Sequence, residues 1–116
     1  MLVLFDHSTP APLRSYLTPH SVATAKERGW DRLSNGDLLL EAERAGFEVL
    51  ITADKRMRHQ QNLERHRIAV VVLSTPQWPL VRLRAVEVAQ AVNTAVPGSV
   101  TEVEIRERHG LPSPSS

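Results

Sequence analysis

Two aspartates stand where an α/β protein commonly does its chemistry. Asp6 directly follows the apolar run Leu2-Val3-Leu4-Phe5, and Asp54 follows Val49-Leu50-Ile51 by way of Thr52 and Ala53. If the two runs are neighbouring parallel strands, the aspartates lie about 5 Å apart at the backbone. They then share the rim beyond the carboxyl ends of the strands, where open α/β sheets bind ligands. Carboxylates that close repel, so one takes a proton or both share a cation. Mg²⁺ or Mn²⁺ suits such a pair, because a hard cation prefers carboxylate and water ligands. A metal held this way activates water against a phosphodiester. Each aspartate alone reads equally well as a helix cap, Asp6 for a helix from Thr9 to Leu17 and Asp54 for one starting at Lys55. Their joint position on one rim favours a site.

Other side chains gather around this pair. Thr52, Ser74 and Thr75 leave the ends of apolar runs and are candidates to touch a substrate. Lys55, Arg56 and Arg58 open a basic stretch that continues through His59, Arg65, His66 and Arg67 against a single acid, Glu64. Such a stretch holds phosphates or forms a solvated helix face. Asn35 and Asp37 begin a capped segment, where Asp37 is either a third acid or the partner of Ser34 in a capping box. His7 has the chemistry of a ligand or base, although a histidine beside a strand end is more often a partly exposed loop residue. Gln60, Gln61 and Asn62 suit a surface loop. Trp78 reads as an anchor for the last helix, and Trp30 as another anchor or part of a partner surface.

The elements that must position these groups follow from the hydrophobic pattern. Leu2–Phe5, Val49–Ile51 and above all Ile68–Leu73 are unbroken apolar runs, the mark of strands covered on both faces. Ser21–Thr24 is a weaker strand, followed by a short helical piece ending at Gly29. Thr101, Val103 and Ile105 alternate with Glu102 and Glu104, as in a half-exposed edge strand. Helices are expected from Thr9 to Leu17, with Leu13, Tyr16 and Leu17 inward; from Ser34 to Gly46; and from Pro79 to Val96, closed by Pro97-Gly98. Alternating strands and helices imply a parallel sheet with right-handed crossovers and helices on both faces. Residues 1–105 form one domain on this reading, and residues 106–116 a disordered tail.

Composition narrows the function classes. The chain has 116 residues, a net charge of +1 and no cysteine, which removes disulfides, thiolate zinc sites and cysteine nucleophiles. Its charge is far from the excess of a dedicated nucleic-acid binder. Aromatic residues are too few for a base-stacking platform. No apolar run is long enough to span a membrane, and the opening MLVLF is too short for a signal peptide, so a soluble cytoplasmic protein is expected.

Three segments carry a family resemblance. Leu4-Phe5-Asp6, Ser34-Asn35-Gly36-Asp37-Leu38-Leu39 and Val49-Leu50-Ile51-Thr52-Ala53-Asp54 resemble, in order and spacing, a bacterial PIN-like family of toxins, compact relatives of VapC-type ribonuclease toxins. The resemblance runs from Leu2 to Thr75. It implies a PIN-like three-layer α/β/α sandwich around a mainly parallel sheet, a divalent metal, RNA as substrate and a small antitoxin-like protein as partner, and it is compatible with a homodimer. Asp6 matches the family's first acid and Asp54 the acid after the threonine, so both are implied as catalytic metal ligands; Asp37, two residues past the family's middle acid position, is a catalytic candidate with its capping role equally open. Asn35, Thr52, Lys55, Arg56, Arg58, Ser74 and Thr75, on or beside this rim, are the candidates for substrate contact. The chain departs from the family in having Asn35 where an aspartate is common, Arg56 where a second acid is frequent, and His7-Ser8 after Asp6. These departures leave two firm acids and keep open a non-catalytic PIN-like module that binds RNA or a protein. A phosphoacceptor receiver is a third reading; receivers usually carry an acidic pair after the first strand and a lysine after the last.

Overall fold

The computed structural model describes residues 1–60 and 63–105. Five strands form one sheet: β1 (Leu2–Phe5), β2 (Ser21–Thr24), β3 (Val49–Thr52), β4 (Ala69–Leu73) and β5 (Val100–Val103), in the order β2-β1-β3-β4-β5. All four neighbouring pairs are parallel. The expected α/β sandwich with a central parallel sheet is thus present, with β1 and β4 inside and the weaker β2 and β5 at the edges.

Each inner strand feeds two cores, because successive side chains point to opposite faces. Val3, Phe5, Ile51, Val71 and Leu73 enter one; Leu4, Leu50, Val70 and Val72 enter the other. Every residue of β3 and β4 is buried, which is why those strands carry no polar alternation. The first face is covered by a 3₁₀ turn, Ala11–Tyr16, and by α2 (Trp78–Val81) and α3 (Ala85–Asn93), joined through a 3₁₀ turn at Arg82–Arg84. The second face is covered by α1 (Asn35–Arg44) and by two 3₁₀ turns, Lys55–His59 and Leu63–Arg65, which contribute Met57 and Leu63. Ser34 caps α1 as its sequence predicts, accepting the Asp37 N–H at 3.2 Å.

Several expectations are corrected. The helix expected from Thr9 to Leu17 is only the 3₁₀ turn, uncapped by any side chain, with Pro10 at its N-cap. The Thr9 hydroxyl that was to cap it is occupied elsewhere, on the Ile51 carbonyl and Asp6. Tyr16 is 44% exposed and leans on Trp78, with ring centroids 5.7 Å apart. The piece before Gly29 is a run of turns. The long helix expected over 79–96 is tightened at Arg82–Arg84 and ends at Asn93, leaving Val96 60% exposed. Its inner stripe of Val81, Ala85, Val88 and Val92 survives the change of pitch, all four being buried.

Uniform right-handed crossovers are also ruled out. The steps from β3 to β4 and from β4 to β5 run in the same direction across the sheet, but their connections pack on opposite faces. Two such crossovers have opposite hands. The short turn at Ala11–Tyr16 covers little of the first face, and α2 and α3 complete that cover. The tail from 106 and the pair Gln61-Asn62 lie outside the described residues. Among the described residues, no helix is long and apolar enough to cross a membrane.

Candidate functional site

Phe5 pairs with Ile51 across β1 and β3, and the Asp6 N–H continues the ladder to the Ile51 carbonyl at 3.2 Å. Asp6 therefore stands opposite Thr52, and Asp54 lies two residues farther out. The two aspartates do share the carboxyl rim of adjacent strands, but not face to face as expected. Asp6 follows its paired residue by one position and Asp54 follows Ile51 by three.

Asp6 is buried, at 4% exposure, and hydroxyl groups converge on it. Its Oδ1 accepts the Ser8 N–H at 3.0 Å and the Ser8 hydroxyl at 2.7 Å. Its Oδ2 accepts the Thr52 hydroxyl. Both hydroxyls are themselves aligned by backbone donors: Ala53 N–H gives to Ser8 Oγ at 2.8 Å, and Asp54 N–H to Thr52 Oγ1 at 3.0 Å. Two chains of dipoles thus run from the turn after β3 to the two oxygens of Asp6, each link strengthening the next. Thr9 completes the surround; its one proton is nearer the Ile51 carbonyl, at 2.6 Å, than Asp6 Oδ1, at 3.1 Å. Among the described residues no lysine, arginine or histidine pairs with Asp6. Among the described residues its Oδ2 has one donor.

Asp54 is held differently. Its carboxylate caps the 3₁₀ turn Lys55–His59 by accepting the Arg56 N–H at 2.9 Å, so the capping role holds. Arg56 then folds back in a fork, Nε to Oδ1 at 3.0 Å and Nη2 to Oδ2 at 2.9 Å. Asn35, the first residue of α1, adds its Nδ2 to Oδ2 at 3.3 Å. The Arg56 guanidinium, then the Arg56 N–H and Asn35, hold the Asp54 carboxyl well below the usual carboxylate range, against partial burial that pushes it up.

The remaining candidates separate from this pair. Asp37 is exposed, and its side chain makes no described bond to Asp6, Asp54 or Asn35; its backbone serves the Ser34 cap. Ser74 closes the β4–β5 end, giving to the Ile105 carbonyl at 3.0 Å and accepting the Ile105 N–H at 2.8 Å. Thr75 accepts the Gln77 N–H at the start of α2. Arg58 is drawn to Glu102 of β5 at 2.9 Å, while Lys55 and His7 are exposed. The basic stretch is divided, since His66 bonds Glu43 at 2.6 Å. Trp78 packs as an anchor, as predicted, and Trp30 packs edge-on against Phe47 at 6.0 Å beneath Arg28.

Ser8 and Thr9 are the site residues that sequence reasoning missed. Their signal was the Asp-x-Ser-Thr spacing, which lets an aspartate accept from the residues two and three positions after it in a tight turn; helix-start chemistry explained the same letters. A half-open concavity of about 600 Å³ lies at the opposite, amino-terminal edge of the sheet. Its acids are committed, Glu43 to His66 and the Arg67 N–H, and Glu48 to the Leu2 N–H.

The donor set suits a hard cation. Among the described residues no three His, Asp or Glu side chains gather into a ready cage. Mg²⁺, however, is commonly held by one or two carboxylates with water in the other positions. Asp6 supplies a buried carboxylate with, among the described residues, one donor on its Oδ2 and no cationic partner, and Asp54 a second carboxylate on the same rim. Both are oxygen donors, the class that Mg²⁺ and Mn²⁺ select. No protein-family model, curated protein or solved structure matches the chain.

Proposed function

We propose that the chain is a PIN-like, divalent-cation-dependent ribonuclease, acting as the toxin of a pair whose other member is a small antitoxin protein. One observation carries the reading. Asp6 is a buried carboxylate without a cationic partner among the described residues, on the rim of the sheet beside Asp54. Buried charges are paired or coordinate metals, and β1 and β3 flank the point where this strand order changes direction, the usual ligand position in such sheets.

In this reading Asp6 and Asp54 hold Mg²⁺ or Mn²⁺. The bound ion supplies Lewis-acid polarisation of a phosphodiester and stabilises the charge that develops on it. Ser8 and Thr52 keep Asp6 in one orientation. Asn35 positions Asp54, which spares α1 a third acid at its first residue. Lys55 and Arg56, exposed beside the rim, make phosphate contacts that fix register without reading sequence.

The test is cleavage of labelled RNA with Mn²⁺ by wild type, Asp6→Asn and Asp54→Asn proteins. Wild type is expected to cleave and both variants to lose orders of magnitude in rate. Equal cleavage by all three contradicts the site.

One observation favours a second reading, the non-catalytic module: Arg56 already neutralises Asp54. Inertness of wild type toward many RNAs, combined with tight binding of a small protein, supports that alternative. Flavodoxin-like and receiver sheets share the strand order seen here. The receiver reading loses ground on residues: a single acid follows β1, and Lys26 and Lys55, the chain's lysines, both precede β4.

A further inference from the structure

We infer that Arg56 is an exchangeable partner of Asp54 that makes cation binding and phosphodiester binding depend on each other at this rim. The inference rests on the proposed metal site and gives Arg56, so far only a phosphate contact, a second role.

Arg56 satisfies both oxygens of Asp54 at once, through its N–H, Nε and Nη2 at 2.9–3.0 Å. A cation cannot take Asp54 as an inner ligand through oxygens that face a guanidinium. The fork must open first. Nothing else described holds the side chain in place, for it is 84% exposed while its Asp54 partner is 16% exposed. The backbone N–H bond survives when the guanidinium leaves, so Asp54 keeps its position as cap of the turn.

Where the guanidinium goes is limited by its tether. Arg56 lies two residues from Asp54, so its planar fork stays at the rim and meets the phosphate of any RNA laid there. Guanidinium matches phosphate as it matches carboxylate, by two parallel N–H···O bonds. A phosphodiester therefore draws Arg56 off Asp54 and opens that carboxylate to the cation, and the cation in turn frees Arg56 for the phosphate. Such coupling is reciprocal. Arg56, at a position where an acid would simply add a ligand, instead prevents the metal from settling firmly without an anionic substrate.

The experiment is a Mn²⁺ titration read from the electron paramagnetic resonance signal of free Mn²⁺. It uses wild type, Arg56→Ala and Arg56→Lys, each with and without a phosphorothioate 2′-O-methyl RNA hexamer. Without the hexamer, Arg56→Ala is expected to bind Mn²⁺ about fivefold tighter than wild type. The hexamer is expected to tighten Mn²⁺ binding to wild type and to leave Arg56→Ala nearly unchanged. Arg56→Lys, which keeps the charge but not the fork, is expected to fall between them. Equal Mn²⁺ affinity in wild type and Arg56→Ala, or equal tightening by the hexamer, overturns the exchange while leaving the metal site standing. No Mn²⁺ binding in any of the three overturns both.

Discussion

Asp6 and Asp54 have the same side chain and opposite surroundings. Asp6 is buried beneath hydroxyls, and Asp54 is held by a guanidinium that reaches in from solvent. Removing the Asp6 carboxylate strands the Ser8 and Thr52 donors, so Asp6→Ala is expected to lose about 3 kcal/mol of stability, and Thr52→Val about 1–2 kcal/mol; urea denaturation measures both. Asp54 makes stability depend on pH. Its folded-state carboxyl is depressed, so its contribution is fully present above the unfolded value of about 3.9. That contribution is lost as pH falls below that value toward the folded one. Its size is modest, because Arg56 sits mostly in water. The stability gap between wild type and Asp54→Asn should accordingly be widest at pH 6–7 and narrow below about pH 4; an unchanging gap would show that the pair contributes nothing. Asp6 and Asp54 themselves were legible from the sequence, as strand-end acids. The roles of Ser8 and Thr9 were not, since the same letters start helices and close turns.

At the scale of elements, the inner strands were plain because burial on both faces demands unbroken apolar runs. The run Ile68–Leu73 could hardly have been anything else. The connections were harder. The spacing of Leu13 and Leu17 fits an α-helix, yet a 3₁₀ turn with Leu17 at its C-cap buries both. The stripe Val81, Ala85, Val88 and Val92 fixed which face is buried but not where the pitch tightens. Gly98 shows how a turn can be compulsory. It adopts φ +79°, and a Cβ there would lie 3.0 Å from the His66 carbonyl oxygen. Gly29, at φ +77°, has open space around it. Gly98→Ala is therefore expected to cost about 2 kcal/mol or more, and Gly29→Ala about 1 kcal/mol. Equal costs in denaturation would mean that the approach of the Gly98 turn to His66 places no demand on the fold.

For the whole molecule, the order β2-β1-β3-β4-β5 brings the ends of β1 and β3 together, although β2 and α1 intervene in sequence. No local pattern could give that order, and hydrophobicity alone would not have shown that the last crossover changes face. The same topology sets α1's first residue, Asn35, against Asp54 and leaves Asp37 outside. The central claim is that the two rim aspartates share a divalent cation, and the most direct test is thermal unfolding with and without Mn²⁺ in wild type, Asp54→Asn and Asp37→Asn. A cation at about ten times its Kd stabilises by about 1.4 kcal/mol, about 5 °C for a domain of this size. Wild type and Asp37→Asn should both show that rise at millimolar Mn²⁺, and Asp54→Asn should lose most of it. A rise of the same size in Asp54→Asn, or none in wild type, contradicts the shared site.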